Sequence, residues 1–412
     1  MGIQDKVRSI ILSRTTHKDN RKIGIEEECI LHTSDNKRLP VNRGNSFSAI
    51  DLLNIMNDKK GVNGEYSLEP GGQLEWSSPP YKDLNKLDFS MREHHRLLDG
   101  IALENELKII DYALEPIYTP EEVELIDQKK YHLMDESMAV NGKMGKWMMR
   151  NTASIQVNLD TIDDKDMEEM VFIADCVHPV AAYLFANCPY KERKKTGMQN
   201  IRHLIWENTD SIRCRNLFDH GIFDSERLID RYIEYVMNVP NIFQIDRDGK
   251  IVHSKKNIKD QLRMLERSEN LVDQDIYVAL HQIFTNVRLK NLVEVRGSDR
   301  TPRGFEMAPV AFWTGILTDK KTRDQLLNIF NNWSKKDRVI FNNSALKLNC
   351  EQQGPDNRSY GDWISIIGDL ALEGLKNRNL KEEGLFLNFF NLVMDSGPFS
   401  LQRQVNAPTY SS

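Results

Sequence analysis

Several familiar signatures are missing from this chain, and each absence removes a class of function. None of the five cysteines, at positions 29, 176, 188, 214 and 350, forms a Cys-x-x-Cys pair, and their number is odd. That spacing suggests neither a zinc cage nor a disulfide framework, and reduced thiols in a cytoplasm fit it best. Basic residues are not in excess: 55 Lys and Arg face 61 Asp and Glu, a net charge of −6. Such a balance argues against a nucleic-acid or anionic-membrane surface. The longest mostly apolar stretch, residues 180–186 behind Pro179, is far too short to span a bilayer. The first residues lack the apolar run of a signal peptide, and Lys6 stands where a myristoylation signal wants Ser or Thr. There is no Gly-x-x-x-x-Gly-Lys-Ser/Thr loop, no Gly-x-Gly-x-x-Gly after a strand, no repeat and no low-complexity segment. The 412 residues, 40% of them hydrophobic, are ample for a large core. One domain over residues 1–401 is expected, with a helical layer from about residue 305 and a flexible tail over residues 402–412.

What is present is a recurring strand pattern with one charged face. In residues 287–300, Arg288, Lys290, Glu294 and Arg296 fall on one side, and Val287, Leu289, Val293 and Val295 on the other. Residues 23–31 place Glu26 and Glu28 together, with Ile25, Glu27 and Cys29 opposite. Two carboxylates on one strand face repel, so this pair marks either an exposed edge or a hard-metal site. Around the turn Pro70-Gly71-Gly72, Glu69 precedes the bend, and Gln73, Glu75 and Ser77 share a face after it. Residues 150–160 alternate as well: Thr152, Ser154, Gln156 and Asn158 against Ala153, Ile155, Val157 and Leu159. Those polar groups suit either a solvated face or the orientation of a ligand.

The rest reads as helices and connections. Apolar spacing predicts helices near residues 48–56, 84–110, 164–186 with an interruption at Pro179, 225–237, 257–267 and 273–283. Further helices follow near residues 308–317, 319–333, 363–376 and 382–394. His94 and His95, adjacent on a helix and so pointing apart, read as surface or satisfied polar groups. Residues 130–149, rich in Met and Gly, read as a partly irregular connection. The basic run Lys191, Arg193, Lys194, Lys195 reads as a solvated loop. In residues 205–213, Trp206 and Arg213 lie among turn-formers, a place to hold a carboxylate bidentately, with Arg202 and Arg215 as rivals.

If the charged strands share one antiparallel sheet, their polar faces converge on a single concave surface backed by helices. That many acids need cations, and all-oxygen ligation selects magnesium or manganese over zinc. Magnesium on carboxylates ordinarily works with substrate phosphates, and Arg288, Lys290 and Arg296 are placed to stabilise a transferring phosphoryl group. The chemistry implied is nucleotide-driven phosphoryl transfer.

The chain resembles the glutamate-cysteine ligases of the plant and proteobacterial type. The matching stretches are Gly24-Ile-Glu-Glu-Glu28, Ser67-Leu-Glu-Pro-Gly-Gly-Gln-Leu-Glu75, Thr152-Ala-Ser-Ile-Gln-Val-Asn-Leu-Asp160 and Leu184-Phe-Ala-Asn187. Trp206-Glu-Asn-Thr-Asp210 with Arg213, Val287-Arg-Leu-Lys290, Glu294-Val-Arg-Gly-Ser-Asp299 and Ala308-Pro-Val-Ala-Phe-Trp-Thr-Gly-Ile-Leu317 continue the series in order. The resemblance implies an α+β, glutamine-synthetase-like fold: a bowl-shaped, mainly antiparallel sheet with a polar active-site face, backed by helices. It implies that ATP phosphorylates the side-chain carboxylate of L-glutamate and that the amine of L-cysteine displaces the phosphate. The product is gamma-glutamylcysteine, a precursor in glutathione biosynthesis.

By position, the resemblance makes Glu26, Glu28, Glu69, Glu75 and Glu294 ligands of magnesium, with manganese an alternative. Arg288, Lys290 and Arg296 would hold ATP phosphates; Arg296, Glu294 and Asn158 would act in catalysis; Arg213, Trp206 and Gln156 would lie near the substrate amino acid. Glu294→Gln is expected to abolish ATP turnover and leave the fold intact. The acyl phosphate must be shielded from water, and residues 134–146 are the expected lid. Cysteine pairs of a redox switch have no match, and no second ligase domain is appended, so the expected product is the dipeptide from a monomer or homodimer. Two alternatives stand beside this reading: a ligase joining glutamate to a different amine, and a non-catalytic ATP-binding regulatory protein.

Overall fold

The computed structural model describes residues 2–59, 63–254, 256–405 and 410. Its strands, in chain order, begin with β1 (Ile23–Thr33), β2 (Glu65–Leu68), β3 (Leu74–Ser77), β4 (Leu107–Ile110) and β5 (Ser154–Leu159). Two short hairpins follow, β6 (Tyr190–Lys191) with β7 (Lys194–Lys195) and β8 (Phe243–Ile245) with β9 (Ile251–His253). β10 (Val287–Leu289) and β11 (Val293–Asp299) close the series. Seven strands form one sheet in the order β10-β11-β5-β1-β3-β2, with β4 on the second half of β1. Every pairing in it is antiparallel.

The register explains why one face is polar. Glu26 stands opposite Gln156 on one side and Ser77 on the other, and Glu28 stands opposite Glu75. Glu294 faces Asn158 and Arg288. Because side chains alternate, these residues share one surface, and Ile25, Trp76, Ile155, Val157, Val293 and Val295 share the other. That second surface is fully buried, and the helices Asp164–Leu184 and Met307–Thr318 cover it. β1 has neighbours on both sides, so its paired glutamates do not sit on an exposed edge. β11 carries a register shift between Val295 and Ser298. A Cβ at Gly297 would lie 2.0 Å from the ring of His178, so the strand lies against that histidine where only glycine fits.

Several local expectations need correcting. Pro179 does not interrupt its helix, which runs unbroken from Asp164 to Leu184. Burial on nearly every side of that helix outweighs a proline penalty of about 3 kcal/mol. Residues 84–110 are a helix, Leu84–Glu104, and then β4. Residues 130–149 are not irregular: they form the helices Lys129–Asn141 and Gly145–Asn151. No side chain caps either helix, which removes the signal that marks helix starts. Of the two readings of His94 and His95, the surface one fails and the satisfied one holds: both are buried, His94 bonded to Tyr66 at 3.1 Å and His95 to Glu27 at 2.8 Å. Trp206 lies on a short helix, Ile201–Glu207. From Met307 to Gln402, the regular elements among the described residues are helical. Most of the expected tail, residues 406–409, 411 and 412, lies outside the described residues. Tyr410 packs against Tyr112 and Tyr190, ring centroids 5.9 and 5.8 Å apart.

The turn that delivers Glu69 depends on close approach. A Cβ on Gly71 would lie 2.3 Å from the carbonyl oxygen of Arg150, and Gly72 sits at φ +76°. The backbone of Arg150 cannot yield, because Gln73 fastens the same chain by donating to the Thr152 carbonyl at 2.8 Å. Gly71→Ala should therefore lower unfolding stability by about 2–3 kcal/mol. Gly100→Ala, in open space on a helix, should raise it by up to about 1 kcal/mol. Urea midpoints check both, and equal midpoints for the two variants would refute the close-approach account.

Candidate active site in the bowl of the sheet

The polar sheet face lines a cavity of about 410 Å³. Glu26 and Glu28 come from β1, Glu75 from β3 and Glu69 from the turn between β2 and β3, and together they make its acidic side. Arg288, Lys290 and Arg296, from β10, the turn after it and β11, make its basic side. Gln156 and Trp206 also line the space.

The acidic side is crowded with like charge. Burial, with Glu75 nearby, pushes Glu28 up to about 7. Burial and Glu28 push Glu69 up to about 7. Burial, Glu69 and Glu26 push Glu75 up to about 8. Few donors answer these oxygens. Ser154 donates its backbone N–H to Glu28 at 2.8 Å, Asn158 donates to Glu26 at 3.1 Å and Ser67 donates to Glu75 at 2.8 Å. A cluster in which Glu28, Glu69 and Glu75 keep their protons near neutrality, with oxygen the only donor atom, fits hard divalent cations.

The basic side is organised differently. Glu294 is completely buried. Burial alone would raise its pKa, but Arg288, Lys290 and Arg296 hold it well below the usual carboxylate range. Lys290 Nζ lies 2.6 Å from one oxygen; Arg296 donates to the other at 3.1 Å, and Arg288 Nε donates there too. Gln156 joins the two sides: its amide nitrogen donates to Glu28 at 3.0 Å, and its oxygen accepts from Arg296.

The predicted site residues therefore divide. Glu294, expected among the metal ligands, is grouped with the cations and occupied by them. Its replacement by Gln would leave Arg288, Lys290 and Arg296 without their shared carboxylate, at a cost of about 3–5 kcal/mol in stability besides any loss of turnover. Asn158 lies beside the cavity and positions Glu26. Arg213 is not in the bowl at all. It is buried, donating to Asp210 at 2.8 Å and to the carbonyls of Gln282 and Pro240 at 3.2 and 2.8 Å, and so clamps three loops. Arg215 donates to the Glu207 carbonyl at 3.0 Å. Arg202, the rival of Arg213 in the sequence, stands beside Trp206 and 3.5 Å from Asp299. Its guanidinium lies 5.6 Å from the Trp206 ring centroid, and it shares a narrow pocket with Asn286, Trp206, Phe284 and Arg296 at the edge of the bowl.

Apart from Met134, which begins the expected lid, a further group of lining residues carries no mark in the sequence. Lys130, Tyr131 and Met134 come from the Lys129–Asn141 helix, and Phe243, Ile245 and Ile251 from the β8–β9 hairpin. Val278 and His281 come from the Asp273–Leu280 helix and its end. Composition alone had marked the Met-rich stretch as a lid; the structure gives it as a helix whose Met134 reaches the cavity.

Comparison with known proteins gives this geometry a context. The model of the family described as glutamate-cysteine ligase family 2 matches residues 22–373. The chain is 28% identical over 368 residues to the chloroplastic glutamate-cysteine ligase A of Oryza sativa subsp. indica, covering 87% of this chain and 72% of that one. It is 29% identical over 335 residues to the chloroplastic enzyme of Arabidopsis thaliana, covering 80% and 63%. Its fold is similar to that of a glutamate-cysteine ligase from Francisella tularensis in complex with AMP, with TM-score 0.56, 12% identity, and coverage of 95% and 84%. A bifunctional glutathione synthetase from Pasteurella multocida gives TM-score 0.51 at 11% identity, and this chain spans 48% of it.

The raised carboxylates set a pH dependence. The unfolded chain releases these protons near 4.5, whereas the fold retains them to about 7 or 8. Between those limits the folded state binds more protons, so stability without divalent cations falls as pH rises. Magnesium should therefore raise the melting temperature more at about pH 8.5 than at about pH 6. Thermal unfolding with and without the cation checks this, and an equal gain at both values would refute the crowding of charge.

Proposed function

The chain belongs to glutamate-cysteine ligase family 2, and on that premise we propose how its bowl carries out ATP-dependent ligation of L-glutamate to L-cysteine. The observation that carries the reading is the apposition, within one cavity, of a carboxylate cluster and three cations anchored on a buried glutamate. Phosphoryl transfer between two anions needs both halves.

Glu26, Glu28, Glu69 and Glu75 would hold magnesium, or manganese. Bound there, the ions would neutralise the triphosphate so that the anionic glutamate side chain can approach it. Arg288, Lys290 and Arg296 stabilise charge on the transferring phosphoryl group, and Glu294 fixes them from beneath so that little reorganisation is needed as the charge develops. Gln156 ties the Arg296 guanidinium to Glu28, and so keeps the phosphoryl-binding side at a fixed distance from the cation-binding side. Asn158 orients Glu26.

The amine of cysteine then attacks the gamma-glutamyl phosphate. The new C–N bond forms as the C–O bond to phosphate breaks, giving gamma-glutamylcysteine, ADP and phosphate. Arg202 and Trp206 form a carboxylate-binding corner for an amino-acid substrate, and Arg296, 5.8 Å from the same indole, borders it. The apolar rim of Met134, Phe243, Ile245, Ile251 and Val278 keeps water from the acyl phosphate. Five free cysteines, four of them buried, support a reducing compartment. The plant relatives are named as chloroplastic, and a cytoplasm is the compartment proposed here. No helix among the described residues is long and apolar enough to cross a membrane.

ADP release should require magnesium, ATP and L-glutamate, with L-cysteine and 2-aminobutyrate preferred over alanine, glycine and simple amines. Preference for another amine would move the acceptor, and no release with any acceptor would refute the ligase reading. Lys290→Gln should lower turnover by about 100-fold, with the chain still folded by circular dichroism. Arg202→Lys should raise KM for one amino acid more than it lowers kcat.

A further inference from the structure

β1 has a second side. Glu27, between the two bowl glutamates, points away from the bowl into the layer behind the sheet, where it meets His94 and His95 of the Leu84–Glu104 helix. Glu27 Oε2 lies 2.8 Å from His95 Nε2 and 3.7 Å from His94 Nε2, and the ligand atoms of the three residues all lie within 4.8 Å of one another. The second distance is too long for a hydrogen bond. A fourth group, a carboxylate, lies beside the set, next to His95. Glu306, just before the Met307–Thr318 helix, places Oε1 3.8 Å from His95 Nε2. Glu306 is only 2% exposed, and this oxygen has no hydrogen-bond partner. Its other oxygen accepts the Gly304 N–H at 2.7 Å, so the side chain is pinned with its orphaned oxygen toward His95, 3.9 Å from Arg300 and 4.0 Å from Arg303.

From this cluster we propose a second divalent-cation site, formed by Glu27, His94, His95 and Glu306 and selective for a borderline transition metal such as zinc. Two imidazole nitrogens and two carboxylate oxygens are a donor set for that class, whereas the all-carboxylate bowl suits magnesium. Four ligands around one tetrahedral ion lie about 3.3 Å apart at bond lengths of about 2.0–2.1 Å, and the separations of 2.8, 3.7 and 3.8 Å straddle that value. The outer contacts also fit. Tyr66 hydroxyl is 3.1 Å from His94 Nδ1, which turns Nε2 toward the cluster, and His94 stacks on Trp76 with ring centroids 4.7 Å apart. Arg300 Nη2 lies 3.5 Å from the other oxygen of Glu27 and 3.9 Å from Glu306. Its charge is shared with Asp111 at 3.0 Å, which limits its repulsion of an ion. The site would be structural: it joins the strand carrying Glu26 and Glu28 to two helices behind it.

The test uses the full chain, purified without chelator and dialysed against excess magnesium to fill the bowl. Metal analysis should find one zinc per chain in the parent and at least a tenfold weaker retention in Glu306→Gln and in His94→Gln/His95→Gln. Cobalt substitution of the parent should give the intense visible bands of a tetrahedral centre, a measurement that does not depend on the variants folding. Zinc below a tenth of an equivalent with no such bands would overturn the proposal. So would one zinc per chain retained equally by folded Glu306→Gln, because that ion would belong elsewhere.

Discussion

A carboxylate out of reach of water is tolerated only when cations answer it, and Glu294 has three. Arg288, Lys290 and Arg296 are held at the base of the bowl by that single buried group. Without it they would repel one another or turn to solvent. Gln156 passes the restraint on to Glu28, so the spacing between the positive and negative halves is set by a short chain of hydrogen bonds across β11, β5 and β1. The largely apolar back of the sheet lets the polar face be so costly in charge: the helices behind it supply the cohesion that the carboxylates oppose.

How far the sequence could be read follows from which physical signal each residue carries. Strand alternation is a direct image of burial, so Gln156 and Asn158 against Ile155 and Val157 could be placed on opposite faces before any coordinates. Glutamates on strands are uncommon enough to be noticed, which exposed Glu26, Glu28 and Glu75. Helical contributions were harder to see. A helix that lends one face to a cavity has the same periodicity as one that lends it to a core, so Lys130 and Tyr131 left no distinct mark, and Met134 was marked by composition alone.

The choice between Arg202 and Arg213 turned on an unrecognised helix. With residues 201–207 helical, Arg202 lies one turn before Trp206 and on the same face, whereas Arg213 lies beyond the helix end and serves the loops. Glu294 shows a different limit. Its cations lie within the same hairpin and share its strand face in the sequence, but whether that carboxylate meets a metal or its own arginines is decided by the hairpin's closure, which pairs Arg288 with Glu294. His94 and His95 diverge on the helix, yet both approach Glu27, because the strand delivers that carboxylate between them.

β1 emerges early in the chain, and every partner that relieves its charge comes later. Its antiparallel neighbour β5 follows after the whole segment that contains the Leu84–Glu104 helix, and β11 lies far beyond that. At a synthesis rate of about 5–20 residues per second, the acidic strand waits for roughly tens of seconds before the arginine-bearing hairpin exists. Until then its carboxylates have only the amide and hydroxyl donors of the earlier segments, protonation or ambient cations to answer them. A ribosome-bound fragment of this protein thus carries an acidic strand face on a hydrophobic back, and the bowl can be completed only once β11 has been made.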